Sequence, residues 1–406
     1  MRGRVARNAF ALGSAGLVVF GAMGLAACNQ SKPEQESSQT QLKIVEQVQI
    51  DENGKEVKAA EGAAPADPAG DGKATCPPVS LAMAGALNGP DAALGINIKN
   101  GVQLAIDKHN AANPGCQVQL KPFDTEGDPQ KATAIAPQIV DDQYTIGLVG
   151  PAFSGETKAT GTVFDQAGLV AATASATNPT LSENGWKTFF RGLANDAVQG
   201  PSVANYMKNT LSYKKICVVD DSTDYGLGLA SAVRQTLGPV ADSSCNISVK
   251  KGDKDFSAAV TQIKGASPDA VFYSGYYSEA APFAQQLHDG GFTGTFVSAD
   301  GTKDPEFVKQ GGEATKGAIL SCPCGPATGA FADEYKKKFN ADPGTYSTEG
   351  YDLGTVLLKG IDSGAITRPA LLDFVRNYNG QGVARKYQWT PTGELTTNLI
   401  WIFKVQ

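Results

Sequence analysis

Histidine is scarce in this sequence of 406 residues, where it occurs only as His109 and His288. Both lie in segments with helical periodicity, far along the chain from any pair of cysteines. Zinc sites combine histidine and cysteine at close spacing, so we expect neither a metal site nor a cofactor. A serine hydrolase needs a base beside its nucleophile. No histidine follows a predicted strand, and an enzymatic function is therefore not expected.

An excess of basic charge is also missing. The chain carries 35 lysines and arginines against 41 acidic residues, for a formal charge of −6 and a pI near 5.2. Nucleic-acid-binding domains are usually basic, so nucleic acid is not an expected partner. After the N-terminal region there is no second long apolar run, and nothing else is predicted to cross a membrane.

The first 28 residues have the layout of a secretory signal. Arg2, Arg4 and Arg7 precede an apolar stretch that closes on Leu25-Ala26-Ala27-Cys28. This ending resembles the bacterial lipobox, in which Cys28 becomes the lipidated first residue of the mature chain. An uncleaved membrane anchor is the alternative, because roughly 20 apolar residues suffice to span a bilayer. Both readings place the remaining chain at the cell surface or in the periplasm, outside the cytoplasmic membrane.

Residues 29–75 are rich in Gln, Glu, Ser, Lys, Ala and Pro. Such a composition buries too little apolar surface to offset the entropy of ordering, and it predicts a disordered tether. Within it, KIVEQVQIDENGKEVKA alternates around Asn53-Gly54, a hairpin signal. A lone two-stranded hairpin is marginal in water, so disorder is the favoured expectation here too.

From Cys76 onward about 330 residues remain, a length that usually divides into two domains. Short apolar runs such as TIGLVG and KKICVVDD alternate with amphipathic segments of helical length. This alternation is typical of βαβ units with parallel sheets, and right-handed crossovers place helices on both faces. The predicted fold class is α/β, with two doubly wound parallel-sheet lobes.

Seven cysteines, less the lipidated one, leave six in an oxidising compartment. Disulfides Cys76–Cys116 and Cys217–Cys245 would each link two neighbouring strands. Cys322 and Cys324 would then form a tight pair or stay as free thiols. Six cysteines allow fifteen connectivities, so other pairings stay open.

In open α/β sheets, ligands bind beyond the carboxyl ends of the strands. The residues at those positions carry hydroxyls, aromatic rings and a single acid. They are Asn88-Gly89-Pro90, Phe153-Ser154-Gly155, Ser175-Ala176-Thr177, Tyr225-Gly226, Tyr276-Tyr277 and Asp300-Gly301. Paired carboxylates, lysine and histidine are missing from this set. It suits holding a small molecule better than transforming one.

Residues 150–157, GPAFSGET, match the phosphate-binding loop G-x-x-x-x-G-K-[ST] except that Glu156 replaces the lysine. Ser154 is the expected N-cap of a helix whose free amides favour an anion. Glu156 would repel a polyphosphate, so a single carboxylate is the expected ligand group. In TASATNPTLS, Thr177 is likewise the expected N-cap of a short helix and, with Ser175, adds hydroxyls.

Five segments, in order, closely resemble the leucine/isoleucine/valine-binding family of ABC-transporter solute receptors, which are type I periplasmic binding proteins. They are MAGALNGPDAALG, GPAFSGETKA, ATASATNPTLS, DDSTDYGLGLA and FYSGYYSEA. The resemblance covers residues 76–406. It implies two α/β lobes that are joined by three chain crossings and close on an amino acid.

The resemblance also implies roles for individual residues. Ser154, with Ser175 and Thr177, would bind the ligand α-carboxylate. The Thr177 hydroxyl, the Ser175 carbonyl and the carboxylate of Asp300 would hold its ammonium group. Tyr225 and Tyr276 would close over the ligand from the second lobe. The side-chain pocket would be lined by Leu94, Ala152, Phe153 and Tyr346.

Three positions depart from the family pattern. Asp300 is shorter than the usual glutamate, Leu94 replaces a common aromatic residue, and Phe153 is bulkier than usual. Recognition of the amino-acid backbone should survive these changes, whereas the side-chain preference is left open.

The expected lobes comprise residues 76–194 with 322–385, and 195–321 with 386–406. The expected function is an extracytoplasmic lipoprotein that captures a branched-chain or other small apolar amino acid and delivers it to an ABC permease, as a monomer. The alternatives are a receptor of the same fold for an amide, urea or aromatic acid, and a sensory lipoprotein.

Overall fold

The computed structural model describes residues 42–58 and 64–406. The predicted signal sequence, the lipidation site Cys28 and residues 29–41 and 59–63 of the predicted tether lie outside the described residues. Within the part described, no helix is both long and apolar enough to cross a membrane.

Fifteen strands and eleven α-helices make up the described chain. The strands are β1 (Ile44–Ile50), β2 (Glu56–Val57), β3 (Val79–Gly85), β4 (Val118–Asp124), β5 (Thr145–Val149), β6 (Val170–Thr173), β7 (Phe189–Arg191), β8 (Ile216–Asp220), β9 (Ile247–Ser248), β10 (Ala270–Ser274), β11 (Thr295–Ser298), β12 (Ile319–Cys322), β13 (Gly380–Gln381), β14 (Lys386–Tyr387) and β15 (Ile400–Val405). The helices are α1 (Ala92–Ala112), α2 (Pro129–Asp141), α3 (Ser154–Gln166), α4 (Asp196–Asn205), α5 (Asp224–Leu237), α6 (Ser257–Ala266), α7 (Tyr277–Asp289), α8 (Pro305–Gly311), α9 (Gly329–Phe339), α10 (Ser347–Asp362) and α11 (Arg368–Arg376).

The first lobe is built on a five-stranded parallel sheet of order β4-β3-β5-β6-β7. Helices α1, α2 and α3 connect its strands, and α10 packs along α1. Several helix starts follow local capping rules. Asp128 caps α2 by accepting from the Gln130 amide at 2.7 Å, with Pro129 at the first helical position. The strand–helix alternation seen in the sequence thus produces this lobe directly.

The second lobe is built on an eight-stranded sheet of order β2-β1-β15-β12-β11-β10-β8-β9. Strands β12, β11, β10, β8 and β9 are parallel, whereas β15 runs antiparallel to β12 and β1 antiparallel to β15. The chain passes between the two sheets three times, after β7, after β12 and before β15. The predicted fold class, two α/β lobes with a three-crossing hinge, is confirmed.

The return to the second sheet comes later than residue 386. Strand β14 pairs with β13, the Tyr387 hydroxyl donates to Asp352 of α10 at 3.1 Å, and the Trp389 indole donates to the Arg191 carbonyl at 2.7 Å. Residues 386–389 therefore pack on first-lobe elements. The strand that joins the second sheet begins at Ile400.

The disorder expected for residues 29–75 is wrong for the described segments 42–58 and 64–75. Strands β1 and β2 form the hairpin that the sequence hinted at, and β1 pairs along its length with β15. The third strand supplies the support that a lone hairpin lacks. Further on, the side chain of Asn113 accepts from the Ala74 amide and donates to the Ala69 carbonyl, both at 2.9 Å, which fixes residues 69–74 against α1.

The described residues contain three disulfides. Cys76–Cys116 ties the chain before β3 to the segment before β4, and Cys217–Cys245 ties β8 to the turn before β9. Cys322 and Cys324 form the tight pair that was one of two expectations. All six cysteines of the described chain are therefore paired.

His109 is a buried residue of the first lobe that links α1 to α10. Its Nε2 lies 2.8 Å from Asp362 Oδ1, and its Nδ1 lies 3.2 Å from Asn110 Oδ1. Burial opposes protonation, but the hydrogen bonds to Asp362 and Asn110 outweigh it and raise the pKa of His109 above 6.5. These contacts give His109 a structural role in joining the two helices.

A substitution of Gly54, in the β1–β2 turn, can test whether the hairpin packs against the second lobe. Gly54 has a φ of +72°, and a Cβ there would clash with the backbone of Tyr206 on the second lobe. We expect Gly54→Ala to cost about 2–4 kcal/mol in hairpin docking, measured by limited proteolysis within residues 42–58 and by thermal unfolding. Gly317→Ala, at φ +80° in open space, should cost only about 1 kcal/mol. Equal effects of the two variants would show that the hairpin does not contact Tyr206.

The ion pair of His109 with Asp362 should make stability depend on pH. Because the folded pKa is raised, the contribution is fully present below pH 6.5 and is lost as the pH rises through the folded value. Urea unfolding of Asp362→Asn should therefore show a larger loss of stability at pH 6 than at pH 9. The exposed His288→Gln serves as a matched control and should show no such difference. A pH-independent loss in Asp362→Asn would contradict this assignment.

Candidate functional site

A cavity lies between the carboxyl ends of the two sheets and is lined by residues of both lobes. Nine of the ten residues predicted to bind the ligand line it, and the tenth, Thr177, does not. The lining residues are Leu94, Ala152, Phe153, Ser154, Ser175, Tyr225, Tyr276, Asp300 and Tyr346, together with Gly301. Both lobes contribute, so the cavity exists only when the lobes are closed against each other.

Helix α3 begins at one wall of the cavity. Its N-cap is Phe153 rather than the expected Ser154, which is the first helical residue. Glu156, the third helical residue, reaches back so that its Oε2 accepts from the Phe153 amide at 3.2 Å, which satisfies the backbone N–H of the N-cap residue. The amides of Ser154 and Gly155 stay at the helix start, where donors are free of helical partners.

The Ser154 hydroxyl accepts from the Asn178 amide at 3.2 Å, which leaves its own hydrogen to donate. Burial raises the pKa of Glu156 to about 7, so this side chain is partly neutral at physiological pH. The helix start is therefore a donor-rich wall whose one acid is held behind it. That arrangement can accept one carboxylate.

The segment after β6 supplies the second set of hydroxyls. Ser175 Oγ donates to the Ala152 carbonyl at 2.5 Å. Thr177 is fully buried behind the cavity wall, and its hydroxyl has no hydrogen-bond partner among the described residues. The N-cap of the short 3-10 helix Pro179–Glu183 is Asn178, not Thr177, because Asn178 accepts from the Thr180 amide at 2.9 Å.

Arg191 fixes this segment and was missed by the sequence argument. Its guanidinium is fully buried and donates to the carbonyls of Ala176 and Asn178, the latter at 3.0 Å. Glu394, on the crossing before β15, accepts from it at 2.8 Å. The available sequence signal was an arginine at the end of the apolar strand FFR, because a charge buried there requires a compensating partner.

Asp300 lies opposite α3 and is the acid of the cavity, with only 2% of its surface exposed. The Tyr225 hydroxyl donates to Oδ1 at 3.0 Å, and the Tyr346 hydroxyl donates to Oδ2. Burial raises the pKa of Asp300, opposed by the hydrogen bonds from Tyr346 and Tyr225. These donors are all neutral, and none of the ion pairs within residues 42–58 and 64–406 involves Asp300.

Tyr346 reaches Asp300 from the first lobe in a strained conformation. It is the N-cap of α10 and has a φ of +70°, a left-handed value that non-glycine residues adopt at a cost of about 1–3 kcal/mol. The sequence prediction placed it beside the ligand side chain. The structure instead directs its hydroxyl to the acid.

Aromatic rings from both lobes form the remaining wall. The Phe153 ring of the first lobe lies 5.1 Å from that of Tyr276 in the second, and Tyr276 lies 5.2 Å from Tyr225. Such spacing is normal for favourable aromatic pairs. With Leu94 and Ala152 they make the side-chain end of the cavity apolar.

Asp196 is a second buried acid near this site that the sequence argument missed. It is the first residue of α4, and neither of its carboxylate oxygens has a hydrogen-bond partner among the described residues. Burial, reinforced by the nearby Asp300, raises its pKa well above the ordinary value. Its position just after a chain crossing was the available signal.

Sequence comparison matches residues 78–406 to the family described as "Periplasmic binding protein". An amino acid binding protein of Pseudomonas aeruginosa is 30% identical over 328 residues, which cover 78% of this chain and 87% of that protein. A Leu/Ile/Val-binding protein of Rhizobium johnstonii is 30% identical over 336 residues, covering 80% and 91%.

Among solved structures, the chain resembles a branched-chain amino acid transporter substrate-binding protein of Streptococcus pneumoniae in complex with isoleucine. The TM-score is 0.74 at 26% identity, with 81% of this chain and 99% of that chain covered. The β1–β2 hairpin lies outside the matched family region. From the family match, these similarities and the two-lobed fold, the chain belongs to the periplasmic binding protein family.

Proposed function

We propose that this protein captures an α-amino acid between its two lobes and delivers it to an ABC permease in the membrane. The observation that carries the proposal is the pairing of opposite polar ends across one small cavity. At one end lie the amides of helix α3 and the Ser154 hydroxyl, and at the other lies buried Asp300 with neutral donors only. A zwitterion satisfies both ends at once.

The proposed contacts follow from this geometry. The ligand α-carboxylate binds to the Ser154 hydroxyl and the first amides of α3, where the helix dipole favours an anion. Its ammonium group binds to Asp300 and to the Ser175 carbonyl, with Thr177 held behind them. Tyr225 and Tyr276 close over the ligand from the second lobe.

The cavity also supports a small apolar side chain. Leu94, Ala152 and Phe153 present only carbon to it. The names of two relatives refer to leucine, isoleucine and valine, and one of them also to threonine and alanine; most of these side chains are small and apolar.

Asp300 distinguishes an amino acid from an amide, urea or an aromatic acid. Those solutes carry no cation, so each would leave a buried carboxylate uncompensated, at a cost of several kcal/mol. Binding itself needs only a hinge motion about the three crossings, with no covalent step.

Asp300→Asn keeps the shape of the side chain and removes its charge. We expect it to weaken leucine binding at least about 100-fold, because an ammonium loses its charged partner. Calorimetric titration of residues 42–406 measures this, and the exposed Asp289→Asn is the control that should bind like the wild type. Unchanged affinity in Asp300→Asn would remove it from the site. Wild-type protein that binds amides, urea or benzoate but no α-amino acid would refute the proposed function.

We further propose that Cys28 is lipidated and anchors the protein to the outer face of the cytoplasmic membrane. The support is the Leu-Ala-Ala-Cys ending after a basic and apolar leader. Cys28→Ser should release the protein from the membrane fraction, whereas the wild type stays with it. Mass spectrometry of the mature N-terminus would show the lipid mass on Cys28, and an unmodified Cys28 would contradict the anchor.

A further inference from the structure

We propose that Lys251 is a clasp that holds the two lobes closed over the ligand and fixes the aromatic wall that limits the ligand side chain. The inference rests on the proposed function, because it concerns the affinity and selectivity of the same cavity. Lys251 does not line the cavity and was not among the residues expected to bind.

Lys251 belongs to the second lobe but makes its side-chain contacts mainly with the first. It follows β9, and its backbone amide donates to the Asp221 carbonyl at 3.1 Å. Its Nζ lies 2.9 Å from Asp91 Oδ2 and 3.4 Å from the Gly127 carbonyl oxygen, both first-lobe groups. Opening of the cleft would break both contacts.

Asp91 is directed across the cleft rather than at its own helix. It is the N-cap residue of α1, yet its side chain makes no capping hydrogen bond. Its Oδ1 instead accepts from the Ser278 hydroxyl of the second lobe at 2.7 Å. One first-lobe carboxylate is thus held by two second-lobe side chains.

The turn that carries Lys251 is itself fixed. The amide of Gly252 donates to Glu279 Oε1 at 2.8 Å, and Glu279 Oε2 lies 2.7 Å from Ser278 Oγ. Ser278 and Lys251 are therefore held in one frame on the second lobe. This frame meets Asp91 only when the lobes close.

The ammonium group of Lys251 also lies against the two rings that form the cavity wall. Its Nζ is 5.1 Å from the centre of the Phe153 ring and 4.8 Å from that of Tyr276. A cation at this distance attracts an aromatic face. Because Lys251 lies outside the cavity, it holds these rings, one from each lobe, from behind.

A second ion pair between the lobes offers a comparison. Lys158 of α3 lies 2.7 Å from Asp224 of α5, but their side chains are 59% and 36% exposed, against 28% and 1% for Lys251 and Asp91. Exposed pairs are screened by water and contribute little. The better shielded Lys251–Asp91 pair is the one that should affect closure.

The first test is ligand dissociation. Lys251→Met removes the charge and keeps most of the aliphatic stem, so we expect leucine to leave at least about tenfold faster in stopped-flow measurements, with a smaller change in association. Lys251→Arg keeps the positive charge and should retain slow dissociation. The dissociation rate of Lys158→Met should stay within about twofold of that of the wild type. Dissociation from Lys251→Met as slow as from Lys158→Met would overturn the clasp.

The second test is selectivity. Lys251→Ala frees the rings of Phe153 and Tyr276 from behind, so the affinity ratio of leucine to phenylalanine should fall at least about threefold. An unchanged ratio would remove Lys251 from selectivity.

A ligand-free measurement separates this inference from the proposed function. In small-angle scattering without ligand, Lys251→Met should have a larger radius of gyration than Lys158→Met, because more molecules are open. If the wild type binds no amino acid but this difference is present, the clasp stands and the proposed function fails. If amino acids bind and the two radii are equal, the clasp fails and the proposed function stands.

Discussion

The buried carboxylate of Asp300 is the constraint on which the closed structure depends. A carboxylate removed from water needs hydrogen bonds and, to remain charged, a cation. Tyr225 of the second lobe and Tyr346 of the first supply the hydrogen bonds, so the two lobes meet on one acid. Tyr346 does so at a φ of +70°. Neutral donors leave the demand for a cation unmet, and burial accordingly raises the pKa of Asp300. In the proposed function, the ligand ammonium is the cation that this site lacks, and its binding favours closure.

The opposite end of the cavity carries hydrogen-bond donors and therefore suits an anion. The glycine spacing of GPAFSGET places the start of helix α3 at the end of a buried strand, as in a phosphate loop, but the loop has no lysine. Glu156 instead satisfies the Phe153 amide from inside the fold, and burial raises its pKa to about 7. A site with few donors and an acid behind it can neutralise one negative charge. Because it can neutralise only one charge, this site favours a single carboxylate over a diphosphate or triphosphate.

Local rules were enough to predict the α/β fold and the strand ends, because each depends on residues that are neighbours in sequence. They failed where the deciding partner is distant. Serine is a favoured N-cap residue, but the N-cap here is Phe153, and the side chain of Glu156 accepts from the Phe153 amide. The β1 strand looked too poorly supported to order, since its partner β15 lies some 350 residues away along the chain. Arg191 stands out at the end of the apolar strand FFR, but neither Arg191 nor Lys251 has a local signature that identifies its partner. Their partners, Glu394 and Asp91, become neighbours only in the folded chain.

Direct contacts between the lobes set how much the ligand must contribute to closure. Asn97 of α1 donates to Asp304 of the second lobe at 3.0 Å, and Tyr277 of the second lobe accepts from the Ala93 amide at 3.2 Å. Like Lys251–Asp91, these contacts are made by protein groups alone. They raise the population of the closed state in the free protein, and the apparent affinity rises in proportion to that population. The Asp300 carboxylate acts in the opposite direction, because closing on it without a cation is unfavourable. In the proposed function, the balance between these two effects is what lets the lobes close on an amino acid and open again when it leaves.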